Sequence, residues 1–227
     1  MHIMTRRRLV HLAAWLALPL VILAIVALWR PDVLRSSHVE IPRPTLTDQQ
    51  ARPAAWAQPL APTFLFHALS PTLYRSALPS GGDIVALQEN GIRTVINLHQ
   101  QSDDPWLAVN DIRSVHMPLR GDRVTDAQVI AVLGAIREGE KRGGVLVHCK
   151  HGQNRTGLIS AMYRIVYDGW SREQAMAEMV EGGFGPPQRM TDAIGYLNRV
   201  DVDAVKLAIS KGECSTRILA WCRLKGE

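Results

Sequence analysis

Residues 143 to 157 read GGVLVHCKHGQNRTG, and the placement of this stretch decides the fold. Val145, Leu146, Val147 and His148 form a short apolar run behind two glycines, the pattern of a buried strand. A loop containing Gly152 follows, then a helical pattern that opens at about Arg155 and stops at Asp168-Gly169. A strand that feeds a helix through a tight loop is the building unit of an α/β sheet. In such sheets sites form at the carboxyl ends of strands, and Cys149 stands at one.

Outward from this stretch the alternation repeats. Further strands are expected over 64–69, 73–76, 94–98 and 115–119, before the run at 145–148. Helices fill the gaps: 83–90, stopped by Gly91; one capped by Thr125, with Val129, Val132, Leu133 and Ile136 on one face; 155–167; one opened by Ser171-Arg172-Glu173-Gln174; and a last one over 191–209. The expected fold is α/β, a central and largely parallel sheet of four or five strands flanked by helices.

The first 62 residues of the 227 read differently. Residues 1–8 are a basic flank containing Arg6, Arg7 and Arg8. Residues 9–29, LVHLAAWLALPLVILAIVALW, carry no ionisable side chain except His11 and are long enough for one transmembrane signal anchor. The basic flank would keep the amino terminus in the cytoplasm, placing the remainder outside it at a cell inner membrane, in the periplasm of a bacterium. Residues 30–62, with five prolines after Glu40, read as a spacer. Residues 63–227 are then a single domain, and the net charge of +5 without a long basic run points away from nucleic acid.

Three cysteines are present. In an exported domain Cys214 and Cys222 would pair; otherwise they are two reduced cysteines near the carboxy terminus. Either way Cys149 is left as the thiol that needs an explanation.

A loop that wraps before a helix turns successive backbone N–H groups inward, and the helix dipole adds positive potential. That is a cradle for a tetrahedral oxyanion. At its base the thiol of Cys149 would ionise near neutral pH. Arg155 offers a planar fork for two phosphate oxygens, and Thr156 a hydroxyl that donates to the thiolate when it leaves. His148 is expected to fix the loop through backbone hydrogen bonds. A metal site built from His148, Cys149 and His151 is the rival, but ligands this close in sequence do not readily surround one ion, and no second Cys/His cluster accompanies them.

HCKHGQNRTG fits the pattern His-Cys-x5-Arg-Thr/Ser. By it the chain resembles the cysteine-dependent protein tyrosine and dual-specificity phosphatases. TLYRSALPSGGDIVALQENGIRTVINL at 72–98 and SAMYRIVYDGWSREQAMAEM at 160–179 are similar to the compact bacterial and plant or fungal members. The resemblance implies hydrolysis of phosphate monoesters through a phosphocysteine, with Cys149 as nucleophile and no metal or other cofactor. Phosphate would be held by the loop residues Lys150, His151, Gly152, Gln153 and Asn154 together with Arg155.

The resemblance also implies an aspartate, on a loop after the preceding strand, that protonates the leaving group and then activates water. In PLRGDRVTDAQ, Asp122 holds the matching place; Asp126 comes second and Asp104 third. The loop lacks the Trp-Pro-Asp signature of the large tyrosine phosphatases. Lys150, His151, Arg120 and Arg123 would make the rim basic. The implied partner is a phosphorylated protein, or a small polyanionic ester such as a phosphoinositide or inositol phosphate. Two readings from other classes are a non-catalytic phosphate-binding module and a sulfurtransferase. GGFGPP at 182–187 reads as a flap with an exposed aromatic, or as a turn between helices.

Overall fold

The computed structural model describes residues 52–107 and 111–216. The strands β1 (Gln58–Ala61), β2 (Phe66–Ala68), β3 (Leu73–Ser76), β4 (Ile92–Asn97), β5 (Arg113–His116) and β6 (Gly144–His148) form one sheet, ordered β1-β2-β3-β6-β4-β5. β6 runs parallel to β3 and to β4, and β4 parallel to β5. β1, β2 and β3 pair antiparallel. The centre of the sheet is parallel as expected, while the sheet as a whole is mixed and has six strands rather than four or five, its antiparallel pairs lying at one edge. The additional strand, β1, lies ahead of Thr63 in a proline-containing stretch read as spacer. Edge strands tolerate proline, and Pro59 sits on this one.

β6 is inserted between β3 and β4, every residue of it buried. Its side chains alternate as a strand's must. Val145 and Val147 enter the larger apolar cluster, Leu146 the smaller one with Phe64, Phe66, Tyr74, Leu87 and Val95. The same parity runs on to Cys149, which joins the larger cluster.

The helices are α1 (Ile84–Glu89), α2 (Asp104–Leu107), α3 (Asp126–Glu140), α4 (Asn154–Val166), α5 (Arg172–Glu181), α6 (Thr191–Arg199) and α7 (Val202–Ser210). α3 opens on a capping box in which the Thr125 hydroxyl accepts from Gln128 N–H and Gln128 Oε1 accepts from Thr125 N–H. Its expected face, Val129, Val132, Leu133 and Ile136, is fully buried. Ser171 and Gln174 cap α5 in the same way. The single helix expected over 191–209 is two: Val200 is extended, and Asp201 accepts from Ala204 N–H at 2.9 Å to start α7.

The expected transmembrane helix at 9–29 lies outside the described residues. Among the described residues no helix is long and apolar enough to cross a membrane. Among the described residues the fold is corrected to the α/β layers alone, and nothing in them supports the expected placement at an inner membrane with a periplasmic domain. Cys149 is free and buried, Cys214 is disulfide-bonded, and Cys222 lies outside the described residues.

Candidate active site

The loop after β6 is held from behind. Gly152 has φ +65°, and a Cβ there would stand 2.6 Å from Ala77 N and 2.7 Å from the Ser76 carbonyl. Only glycine lets the loop pass this close to the end of β3. The buried Arg75 donates from Nη2 to the Gly152 carbonyl at 2.7 Å. Its guanidinium lies 3.4 Å from the centroid of the Phe184 ring, which also meets His67 edge-on. Burial pulls Arg75 down to about 10, leaving it cationic at neutral pH. Phe184, the aromatic of GGFGPP, is therefore fully buried behind the loop rather than exposed on a flap.

Cys149 is only 2% exposed. Burial pushes its thiol up, but the Thr156 hydroxyl and backbone, the Arg155 charge and the His151 backbone together hold it below the ordinary cysteine value. The Thr156 hydroxyl is itself buried, and it is the largest of the groups that lower the thiol. Arg155 Nη1 donates to the Leu98 carbonyl at 2.9 Å and the Leu119 carbonyl at 3.4 Å, so the ends of two strand-to-loop junctions aim the guanidinium.

The His148 carbonyl accepts from Leu98 N–H at 2.8 Å, and its side chain is bonded as well. Its Nε2 donates to a buried side chain, Asp103 Oδ2, at 2.7 Å, while Nδ1 has no partner. The two histidines of the metal reading are thus set apart: His148 is buried against Asp103, and His151 is exposed on a cleft.

That cleft encloses about 680 Å³, with Cys149, Arg155, Asp122, His151, Arg189 and Asp192 among its lining residues. Lys150 is exposed. The Gln153 side chain turns inward, with Oε1 unpartnered, against Gly185. Asn154 Nδ2 donates to Asp192 Oδ2, and Asn154 Oδ1 accepts from Ala193 N–H, both at 2.8 Å.

The three candidate acids separate clearly. Asp122 lines the cleft in a turn, Gly121–Arg123, with its side chain 51% exposed and paired to Arg123 Nε at 3.1 Å and Arg120 Nε at 3.4 Å. Slight desolvation pulls its carboxyl up, but the hydrogen bonds from Arg123 and Arg120 outweigh it and hold the group below the usual carboxylate range. Asp126 is committed elsewhere, accepting from Tyr196 OH at 2.7 Å and Thr216 Oγ1 at 2.9 Å. Asp104 is exposed at the start of α2 and does not line the cleft.

Sequence reasoning missed Asp103, Arg75, Arg189 and Asp192. Of these, Arg75 carries a usable signal: it is an ionisable residue within a strand that the pattern buries, and such a group needs a partner.

The sequence profile of the dual specificity phosphatase catalytic domain matches residues 74–187. Dual specificity protein phosphatase TpbA of Pseudomonas aeruginosa (strain UCBPP-PA14) is 45% identical over 174 residues, which cover 77% of this chain and 80% of that protein. The crystal structure of a Cys→Ser variant of P. aeruginosa TpbA in complex with pTyr aligns with TM-score 0.69 at 44% identity, over 71% of this chain and 99% of that one. The Siw14 catalytic core, 19% identical, shares the fold with TM-score 0.53 over 62% of this chain and 86% of that one. A thiol held below its ordinary pKa under an arginine is what phosphate ester cleavage by cysteine requires, and with these relatives it places the chain in the dual specificity phosphatase family, cysteine-dependent hydrolases of phosphate monoesters.

Proposed function

We propose that Cys149, Arg155, Asp122 and Thr156 carry out this hydrolysis, on a protein bearing phosphotyrosine. The Cys149 thiolate attacks phosphorus; the sulfur–phosphorus bond forms as the bond to the leaving oxygen breaks, and Asp122 gives that oxygen its proton. Water then attacks the phosphocysteine and loses a proton to Asp122. The sulfur–phosphorus bond breaks, inorganic phosphate leaves, and Thr156 donates to the returning thiolate. Arg155 and the backbone N–H groups of residues 150–154 hold the equatorial oxygens throughout.

The observation that carries this reading is that the thiol of lowered pKa, Arg155 and the carboxylate of Asp122 share a single cleft, whose other carboxylate, Asp192, is engaged by Asn154. In the free enzyme Arg123 and Arg120 keep Asp122 ionised. A phosphate dianion in the cradle would raise its pKa by like-charge repulsion and so supply the acid form. Phosphotyrosine is favoured because the pTyr complex belongs to a relative that is 44% identical. Lys150, Arg189, Arg120 and Arg123 on or beside the cleft support a second reading, a small polyanionic ester.

The test is phosphate release by the full chain from phenyl phosphate and from a panel of phosphotyrosine, phosphothreonine and phosphoserine peptides, phosphoinositides and inositol phosphates. Cys149→Ser is expected to abolish turnover, and Asp122→Asn to slow it about a hundredfold or more on phenyl phosphate. Wild-type-like turnover by the serine variant would sink the mechanism; faster release from inositol phosphates than from phosphotyrosine peptides would sink the substrate reading.

A further inference from the structure

We infer that α6 is the seat of the acid loop, with Asp192 and Tyr196 acting as positioning residues for Asp122; this rests on the assignment of Asp122 as the acid. Asp192 and Tyr196 are four residues apart and so lie on one face of the helix.

Asp192 sits on the first turn of that face. Its Oδ2 accepts from Asn154 Nδ2 at 2.8 Å, and Asn154 Oδ1 accepts from Ala193 N–H at 2.8 Å. Two bonds therefore lock the Asn154 amide and tie the phosphate loop to α6. Gly121, the residue before Asp122, rests on this locked pair. A Cβ at 121 would stand 2.8 Å from Asn154 Nδ2 and 3.2 Å from Asp192 Oδ2. The backbone of Gly121 is in an ordinary conformation, not one of the positive-φ glycines, so its missing side chain serves close approach rather than a turn.

One turn further along the helix, Tyr196 OH donates to Asp126 Oδ1 at 2.7 Å, and Asp126 opens α3. The segment 121–126 is thus fixed to α6 near both of its ends. Asp122 itself is half-exposed, and among the described residues its side-chain bonds are to its neighbours Arg120 and Arg123. Those arginines ride on the same loop, so they cannot set its distance from the sulfur of Cys149. The backbone seat sets it.

A seat of this kind governs proton delivery and leaves nucleophilic attack alone. kcat/KM for two esters on the full chain separates these: phenyl phosphate, whose leaving oxygen needs a proton, and 2,4-dinitrophenyl phosphate, whose leaving group departs as the anion. Gly121→Ala and Asp192→Ala are expected to lower kcat/KM for phenyl phosphate about tenfold or more, since a displacement of about 1 Å can cost up to a hundredfold. For dinitrophenyl phosphate Gly121→Ala should change it less than about twofold, while Asp192→Ala, which also frees Asn154 of the phosphate loop, should lower it by less than it lowers the phenyl phosphate value. Asp192→Asn retains an acceptor for Asn154 Nδ2 and is expected to restore most of the phenyl phosphate rate. Tyr196→Phe removes only a hydroxyl and should show the same pattern with a smaller loss.

Equal loss on both esters, or no loss on either, from Gly121→Ala and Tyr196→Phe overturns the seat. Asp122→Asn is the reference. If it fails to discriminate between the esters, the acid assignment falls; if it discriminates and the seat variants do not, the acid stands and the seat falls.

Discussion

Cys149 shows how a buried thiol is kept reactive. Burial alone would make it inert, and Thr156 is the largest of the groups that reverse this. Activity needs the thiolate, so it rises with pH through the cysteine pKa. Thr156→Val removes a hydroxyl that lowers that pKa, so the limb of kcat/KM against pH that reports the thiol is expected to move to higher pH. Asp122 has the opposite sign: it must be protonated, and Arg123 holds its pKa down. Arg123→Ala should therefore move the limb of the same profile that reports the carboxyl to higher pH. That Cys149 and Arg155 share one cleft was legible from the strand, loop and helix pattern around them, because the cradle is local in sequence. Asp103 was not, since it is one of two adjacent aspartates and nothing but the folded chain brings it to His148.

At the scale of elements, the legible features are those that neighbouring residues decide. The capping boxes of α3 and α5 and the buried face of α3 depend on spacings of three and four residues. The break between α6 and α7, and the burial of GGFGPP, depend on what the rest of the chain brings near. Phe184 reads as exposed because glycines surround it, yet its ring fills the space between Arg75 and His67. Phe184→Ala is expected to cost about 3–5 kcal/mol, as for large-to-small changes at other buried aromatics. It also strips the face of a buried cation that supports the Gly152 carbonyl. Urea denaturation of the variant and the parent checks the magnitude; a loss under about 1 kcal/mol would show that Phe184 is not the wedge its burial implies.

For the whole molecule, the segment before the expected start at Thr63 proves to be part of the packing. Glu178, buried in α5, accepts from Ala57 N–H at 2.6 Å and from Arg164 Nη2 at 2.8 Å, and Arg164 also donates to the Ala55 carbonyl at 3.1 Å. A chain beginning at Thr63 would lose β1 and leave two buried charges short of partners. It is expected to be at least about 2 kcal/mol less stable than the full chain, the scale of a hydrogen bond to a charged group. Equal urea midpoints for the two would count against it. This strap was illegible because it depends on pairings across more than a hundred positions, whereas proline content alone suggested a spacer.

The insertion of β6 between β3 and β4 bears on how the enzyme comes into being. Its partners on both sides are distant in sequence, so this pairing carries a large loop-closure cost and belongs to the slow, non-local part of folding. Until the central strand docks, the end of β3 and Arg75 are not behind Gly152, so the loop that carries the groups lowering the pKa of Cys149 is not held in shape. A nascent or partly unfolded chain therefore holds an ordinary thiol, less prone to oxidation and without hydrolytic power. Reactivity arrives with the closing of the sheet, so loss of activity is a built-in reporter of misfolding in this chain.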